Sequence, residues 1–303
     1  MQKIVPNLWF DTEGEEAAKL YTSLFSDSRI TQVTHYPNAG QEITGKEPGS
    51  VMTVAFELAG QSFIALNGGP HFTLNPSISF TVACKTKEEV DRLWSTLSEG
   101  GNILMPLDAY PFSERYGWCS DRYGLSWQLV LDDGHYPYKN RIATSFLFVG
   151  KVAGKAEEAI TLYASIFPES KLGDIARWPA GMEPEIAGTV MHGAVTLAGQ
   201  EFFAMDSANE GHTFSFNEAF SLLVNCRDQA EVDEYTARLT EGGGEQGPCG
   251  WVKDRFGVSW QIAPIILSEM LKDPDTAKQD RVMSAMLKMQ KIDIAALEAA
   301  YRG

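Results

Sequence analysis

Two histidines stand where they could move protons. His71, in LNGGPHF, and His212, in ANEGHTF, each follow a strand-like run, and each is trailed by an asparagine, Asn75 and Asn217. An imidazole titrates close to neutral pH and can act as acid or base, although a loop histidine that only bonds a neighbouring turn has the same sequence signature. Gln128 and Gln261 end two copies of the tripeptide SWQ, where a carboxamide could polarise a ligand oxygen. Trp9, Trp118 and Trp251 offer flat apolar surface for a ring-bearing ligand. Equally, Trp118 and Trp251 could brace a sheet edge together with the adjacent Asp121-Arg122 and Asp254-Arg255 pairs. Asn67 heads the turn NGGP, a candidate ligand contact whose glycines open no helix and so suit backbone geometry better than phosphate binding. Cys84, Cys119, Cys226 and Cys249 show no CxxC spacing and read as packed thiols.

The elements that must position these groups occur twice. LYTSLFSDS at 20–28 returns as LYASIFPES at 162–170, and EVDRLWSTLSEGG at 89–101 returns as EVDEYTARLTEGG at 231–243, both at an offset of 142. GWCSDRYGLSWQ at 117–128 matches GWVKDRFGVSWQ at 250–261 at an offset of 133, which places about nine extra residues within 102–116. Each copy opens with a short apolar strand, 4–11 in the first, followed by a helix over 13–25 with apolar residues at three and four spacing. Strands over 51–58 and 61–67 are joined by Ala59-Gly60 as a hairpin turn. The pattern then restarts with a strand over 77–84 and a helix capped by Thr86 and Glu89 that stops at Gly100-Gly101. Strands around 116–120 and 125–131 complete the copy. The expected organisation is a first domain over 1–131, a linker over 132–140, a second domain over 141–264 and a helical tail over 265–303, in which Asp293 caps a helix.

Composition narrows the partners. The chain has 303 residues, 44% of them hydrophobic and 21% charged, as an ordinary folded protein does. Its 25 basic and 40 acidic side chains give a net charge of −15, with no basic cluster to displace counterions from nucleic acid or bind an anionic membrane. No apolar run approaches the roughly 20 residues needed to span a bilayer. The N-terminus turns acidic where a signal peptide would be apolar, so a cytoplasmic location is expected.

The double βαβββ order, with P-x-LWF, LNGGPHF, S-x-SF-x-V-x-C, EVD-x-L-W and D-R-[YF]-G-x-SWQ, resembles the vicinal oxygen chelate (glyoxalase/bleomycin-resistance) superfamily. It is most similar to the PhnB-like branch, which carries the name 3-demethylubiquinone-9 3-methyltransferase domain. The resemblance implies an α+β fold of two tandem glyoxalase-like domains, each of paired βαβββ modules that curl into a cup. It also implies that metal-dependent relatives hang His and Glu ligands from the first, fifth and eighth strands. Side chains two apart share a strand face, which turns Asn7 with Trp9, Ser77 with Ser79, and Gln128 inward in the first copy. The second copy turns in Ser145, Ala219, Ser221 and Gln261. These groups are neutral, whereas transition metals prefer imidazole, thiolate or carboxylate, so no metal and no cofactor are expected.

The leading expectation is therefore a metal-independent small-molecule-binding protein. The alternative is an enzyme of the same superfamily, with His71 or His212 as acid or base and a glutamine as oxygen ligand. A methyltransferase is disfavoured, because the glycine-rich stretch EGGGEQGPCG at 241–250 lies between a helix and a strand and opens no helix. The two copies are expected to pair within the chain as a pseudo-dimer, with homo-oligomerisation left open. Asn7, Ser77 and Gln128 are expected to form the principal site, with Trp118 and Trp251 as candidate walls.

Overall fold

A computed structural model describes residues 1–134 and 140–303, so most of the expected linker lies outside the described residues. The first repeat supplies β1 (Ile4–Phe10), α1 (Gly14–Leu24), β2 (Arg29–His35), a single-turn α2 (Gln41–Thr44), β3 (Val51–Leu58) and β4 (Gln61–Asn67). It continues with β5 (Ile78–Cys84), α3 (Lys87–Leu97), β6 (Asn102–Tyr110), β7 (Ser113–Ser120) and β8 (Ser126–Leu131). The second repeat supplies β9 (Ile142–Phe148), α4 (Ala156–Ile166), β10 (Lys171–Arg177), β11 (Val190–Leu197) and β12 (Gln200–Asp206). Then come β13 (Phe220–Cys226), α5 (Gln229–Thr240), β14 (Glu245–Gln246), β15 (Trp251–Lys253) and β16 (Ser259–Pro264). Helices α6 (Ile265–Met270), α7 (Thr276–Met286) and α8 (Ile294–Arg302) form the tail.

Local chemistry explains these boundaries. Ala59 and Gly60 have φ of 47° and 78°, and Ala198 and Gly199 have φ of 48° and 78°. Two successive positive values give the tight turn whose twist suits a hairpin. The Thr86 hydroxyl accepts the Glu89 N–H at 3.2 Å, and Asp228 does the same for Glu231 at 3.0 Å. The return bonds from Glu89 and Glu231 reach the N–H of Lys85 and Arg227, at 2.8 Å each, one residue before the cap. Asp293 accepts the Ala296 N–H at 3.0 Å and starts α8. β2, which the βαβββ order requires, has no apolar signal of its own: RITQVTH is polar at most positions because it is the outermost strand of its sheet and buries little.

The chain folds as two compact units, Met1–Thr73 with Asn217–Gly303, and Leu74–Phe216. Each contains one eight-stranded sheet, ordered β14-β15-β16-β13-β1-β4-β3-β2 in unit 1 and β10-β11-β12-β9-β5-β8-β7-β6 in unit 2. Each sheet thus takes one module from each repeat. β1 pairs antiparallel with β13, setting Asn7 opposite Ser221, and β5 pairs antiparallel with β9, setting Ser79 opposite Ser145. One face of each sheet is covered by helices. In unit 2 that face carries Phe80, Trp127, Phe146 and Phe202 with Tyr163 of α4, each fully buried. In unit 1 it carries Leu8, Phe56 and Trp260 with Tyr21 of α1. The tail belongs to unit 1, where Asp280 accepts the Ala39 N–H at 3.0 Å and the Met289 carbonyl accepts the Cys249 N–H at 2.8 Å. Among the described residues, no helix is long and apolar enough to cross a membrane.

Candidate functional site

The face opposite the helices carries the groups that alternation turned inward, but in a different grouping. Asn7 shares a sheet with Ser221 and Gln261, whereas Ser145 shares one with Ser79 and Gln128. The expected grouping of Asn7, Ser77 and Gln128 is thereby divided between the two sheets. The cause is the strand exchange: β1 meets the fifth strand of the other repeat.

In unit 2 the row of polar groups is satisfied internally. The Ser145 and Thr81 hydroxyls share a hydrogen bond of 2.6 Å. The Gln128 amide donates to Ser79 Oγ at 2.7 Å and its oxygen accepts the Tyr116 hydroxyl at 2.9 Å. The Trp118 indole donates to Ser126 Oγ at 2.7 Å. The residues added in the first repeat lengthen the β6–β7 hairpin, and the rings of Tyr110 and Phe112 pack on Tyr116 at 5.5 and 5.0 Å. Ser77 is buried beside the start of β5, where its carbonyl accepts the Leu147 N–H at 2.8 Å.

Unit 1 has the same row with a different outcome. Gln261 donates to Ser221 Oγ at 2.9 Å, as its counterpart does. However, the buried Asn7 Oδ1 and Ser259 Oγ have no hydrogen-bond partner. Ser259 occupies the place of Ser126, yet Trp251 turns toward Trp9, with ring centroids 6.2 Å apart. Trp9 stands where unit 2 has Leu147, and its indole donates to the Gly69 carbonyl at 2.7 Å while its ring meets Phe72 edge-on at 5.0 Å. Gly68 makes this possible, because a Cβ there would lie 2.2 Å from the Trp9 ring. The NGGP turn is therefore the seat of Trp9, and the second repeat, with Leu147, has Ser207 and Ala208 instead. A cavity of about 290 Å³ opens between Trp9, Phe72, Trp251, Pro248 and Ser259, with a Lys253–Glu218 ion pair of 2.6 Å in its wall.

The remaining candidates lie elsewhere. Asn67 Oδ1 accepts the Gly14 N–H at 2.8 Å and its amide donates to the Val51 carbonyl at 3.1 Å, so its side chain holds the start of α1. Asp206 does the same for α4, accepting N–H groups of Gly154 and Ala156 at 2.8 and 3.1 Å. His71 is exposed in the loop after β4, and His212 packs against Phe214 at 5.1 Å, with burial lowering its pKa against the opposing pull of Glu185. Asp121 accepts the N–H groups of Tyr123 and Leu125 at 2.9 and 3.1 Å and the Trp127 indole at 2.8 Å. Asp254 repeats this pattern with Phe256, Val258 and Trp260. The D-R-[YF]-G-x-SW motif is thereby a turn tied to a core indole. Burial pushes the Cys84, Cys119 and Cys226 thiols up to about 12, as packed thiols require.

One group escaped the sequence reading. His192 on β11 shares the helix-free face of unit 2, its ring tilted 38° against Phe203 with centroids 4.8 Å apart, and burial lowers its pKa to about 4. Aligning VMTVAFEL with VMHGAVTL sets it opposite Thr53, a difference that marked the position.

The metal that this fold implies elsewhere does not suit these residues. The rows offer amides and hydroxyls, and among the described residues no group of three or more His, Cys, Asp or Glu is placed to hold an ion.

Paired βαβββ modules in eight-stranded sheets give this chain a glyoxalase-like fold. Glyoxalase I from Zea mays shares this fold, with a TM-score of 0.51 at 10% identity over 86% of this chain and 90% of that one. The chain belongs to the family described as 3-demethylubiquinone-9 3-methyltransferase, whose model matches residues 2–130 and again 140–263. The PhnB protein from Bacillus cereus is 42% identical over 43% of this chain and 99% of its own, with a TM-score of 0.40. No curated protein matches the chain.

Proposed function

We propose that this protein binds a small organic molecule in the unit 1 cavity without a metal, and that unit 2 is its internally satisfied counterpart. The observation that carries this reading is the contrast at one row of the sheet. Equivalent atoms are hydrogen-bonded in unit 2, while unit 1 leaves Asn7 Oδ1 and Ser259 Oγ unpartnered, and Ser259 lines an aromatic-walled cavity. Burying a polar atom without a partner costs about 1–3 kcal/mol, and a bound molecule that supplies the bond to Ser259 Oγ recovers that energy. Apolar walls with a few placed polar groups are what ligand sites generally show. Gln261 lies in the same row, where its amide donates to Ser221 Oγ at 2.9 Å. Catalysis by acid or base would need a titratable group within reach of the bound molecule; neither His71 nor His212 borders this cavity, and of the groups that do, Glu218 and Lys253 are paired with each other and Glu245 stands at its rim strand β14. The family's description names a methyl transfer, but the stretch at 241–250 runs from the end of α5 into β14 and β15 and opens no helix to receive an adenosyl donor.

The test is a thermal-shift screen of a metabolite library on the intact protein and on Trp9→Leu. A ligand of this cavity raises the melting temperature of the first and not of the second, in proportion to RT ln(1 + [L]/Kd). The reading is abandoned if no compound stabilises the protein, or if stabilisation is indifferent to Trp9.

A further inference from the structure

Resting on the reading that the unit 1 cavity holds a small organic molecule, we propose that this molecule is a small alkylated ammonium cation, one whose charged nitrogen is covered by methyl groups. Three of the side chains lining the cavity are aromatic, Trp9, Phe72 and Trp251, and all three are half-buried. Trp9 stands at 79° to Phe72 and at 70° to Trp251, so the rings are set like the walls of a box and neither pair is stacked face on face. The one polar atom of the Trp9 indole is engaged by the Gly69 carbonyl at 2.7 Å, and Phe72 has none, so what these two present to a ligand is ring surface. The face of an aromatic ring is its negative side and attracts a cation, most strongly at a tryptophan and where water is excluded.

The charges around the rings have the matching sign. Glu218, Glu245 and Lys253 line the same cavity. Lys253 is paired with Glu218 at 2.6 Å, whereas Glu245, exposed on β14 opposite Lys253 in the strand register, makes no ion pair among the described residues. Two carboxylates and one ammonium leave a negative charge in excess. None of this recurs in unit 2, where the strand registers put Leu147, Pro76, Asn102 and Ser120 at the places of Trp9, Glu218, Glu245 and Lys253. Bonding capacity then chooses among cations. A primary ammonium brings three N–H donors that all need acceptors, and one of the two carboxylates is already engaged by Lys253. Methyl groups need no acceptor, lie well against apolar rings and leave the charge in place. A zwitterion fits less well, because its own carboxylate would meet Glu245 while Lys253 is taken. The volume of about 290 Å³ lies at the small end of ligand sites, which run from roughly 300 to 1,000 Å³, and suits such a head group with a short tail.

Calorimetric titration of the full-length protein at constant ionic strength tests this class with four probes. They are choline, its neutral isostere 3,3-dimethylbutanol, the primary amine ethanolamine and the anion 3,3-dimethylbutanoate. Choline should bind about ten-fold more tightly than each of the others, as a desolvated cation over ring faces implies. Trp9→Leu should remove most of that preference. Glu245→Gln, at an exposed position, should weaken choline binding by about two- to three-fold, less so at high salt, and leave the neutral isostere unaffected. If Trp9→Leu does not fold by circular dichroism, the series on the unaltered protein and on Glu245→Gln still decides. Equal binding of choline and 3,3-dimethylbutanol overturns the requirement for charge, and equal or tighter binding of ethanolamine overturns the alkylated class. Preference for the anion would assign recognition to Lys253 and overturn the proposal. Failure of all four probes, while a library compound stabilises the protein in a Trp9-dependent way, overturns this inference alone. Failure of every compound to show Trp9-dependent stabilisation overturns the underlying reading as well.

Discussion

Gly68→Ala should cost about 2–4 kcal/mol, and nearly all of that cost should vanish when Trp9 is leucine. The added Cβ would lie 2.2 Å from Cζ2 and 2.4 Å from Cε2 of the indole, so the ring has to move by more than an ångström to reach ordinary contact. The ring is held by its bond to the Gly69 carbonyl and by the edge of Phe72. Losing the bond costs about 1 kcal/mol, and forcing a side chain out of a packed place adds about 1–3 kcal/mol. In Trp9→Leu the obstacle is gone, as in unit 2, where Leu147 coexists with Ser207 at the place of Gly68. The coupling between the two substitutions should be about 2 kcal/mol, well inside the range for residues in contact. That corresponds to about 4–8 °C in the melting temperature of a unit of this size. Thermal unfolding of the four proteins of the cycle, followed by tryptophan fluorescence, measures it. A Gly68→Ala cost that is the same in both backgrounds would refute the claim that the NGGP turn exists to seat Trp9.

The two glutamines should part company. Gln128→Ala leaves the Tyr116 hydroxyl without its acceptor in a buried place and should lower stability by about 1–3 kcal/mol, whereas Gln261→Ala, at a half-buried position with one bond to Ser221, should cost less, as paired unfolding titrations will show. His192 gives a pH signature: its folded pKa is depressed to about 4 from 6.5, so the neutral form favours the fold, and its contribution is present above pH 6.5 and lost as pH falls toward 4. His192→Phe should flatten the stability profile in that window, and an unchanged slope would remove the assignment. Elemental analysis of purified protein should find less than stoichiometric zinc, nickel or iron; one equivalent per chain surviving mild chelation contradicts the mismatch of donors.

The local elements were legible because each carries its own signal. Apolar residues at three and four spacing, capping residues such as Thr86, and the Ala59-Gly60 turn act over a few residues, and the repeat doubled every reading. Alternation also told which face Gln128 and Gln261 occupy, because the neighbouring Trp127 and Trp260 are too large for any place but the core. What the sequence withheld was pairing. Nothing in the residues of β1 states that β13 rather than β5 lies beside it, since the two candidate strands are copies of one another. The asymmetry of the two rows was hidden for a related reason. Trp118 and Trp251 sit in nearly identical motifs, and what separates them is Trp9 against Leu147, distant in sequence from both. His71 and His212 recur at one place in the two copies, whereas His192 occurs once, with Thr53 as its counterpart.

The exchange of modules has a consequence for the isolated repeat. Residues 1–131 contain β1–β4 of one sheet and β5–β8 of the other, so each half-sheet ends in a central strand, β1 or β5, stripped of its antiparallel partner. Both strands are buried throughout except for the partly exposed Trp9, and such an edge exposes apolar side chains together with unpaired N–H and C=O groups. Strand pairs across these edges are between copies of one pattern, so a second molecule of the repeat offers each edge a homologous partner. The crossings between units favour the same arrangement. Asn75 accepts the Ser77 N–H and donates to the Ser215 carbonyl, both at 2.9 Å, while Asn217 accepts the Ala219 N–H and donates to the Thr73 carbonyl at the same length. These matched clamps tie each departing strand to the one returning. Expressed alone, residues 1–131 should therefore form a dimer in which two copies exchange modules, with a molar mass near twice that of the chain by light scattering. Repeating the experiment with Asn75→Ala should weaken the dimer, because both halves lose a clamp. A folded, stable monomer of 1–131 would show that a repeat can close its own sheet, and the account of the fold given by strand exchange would fail.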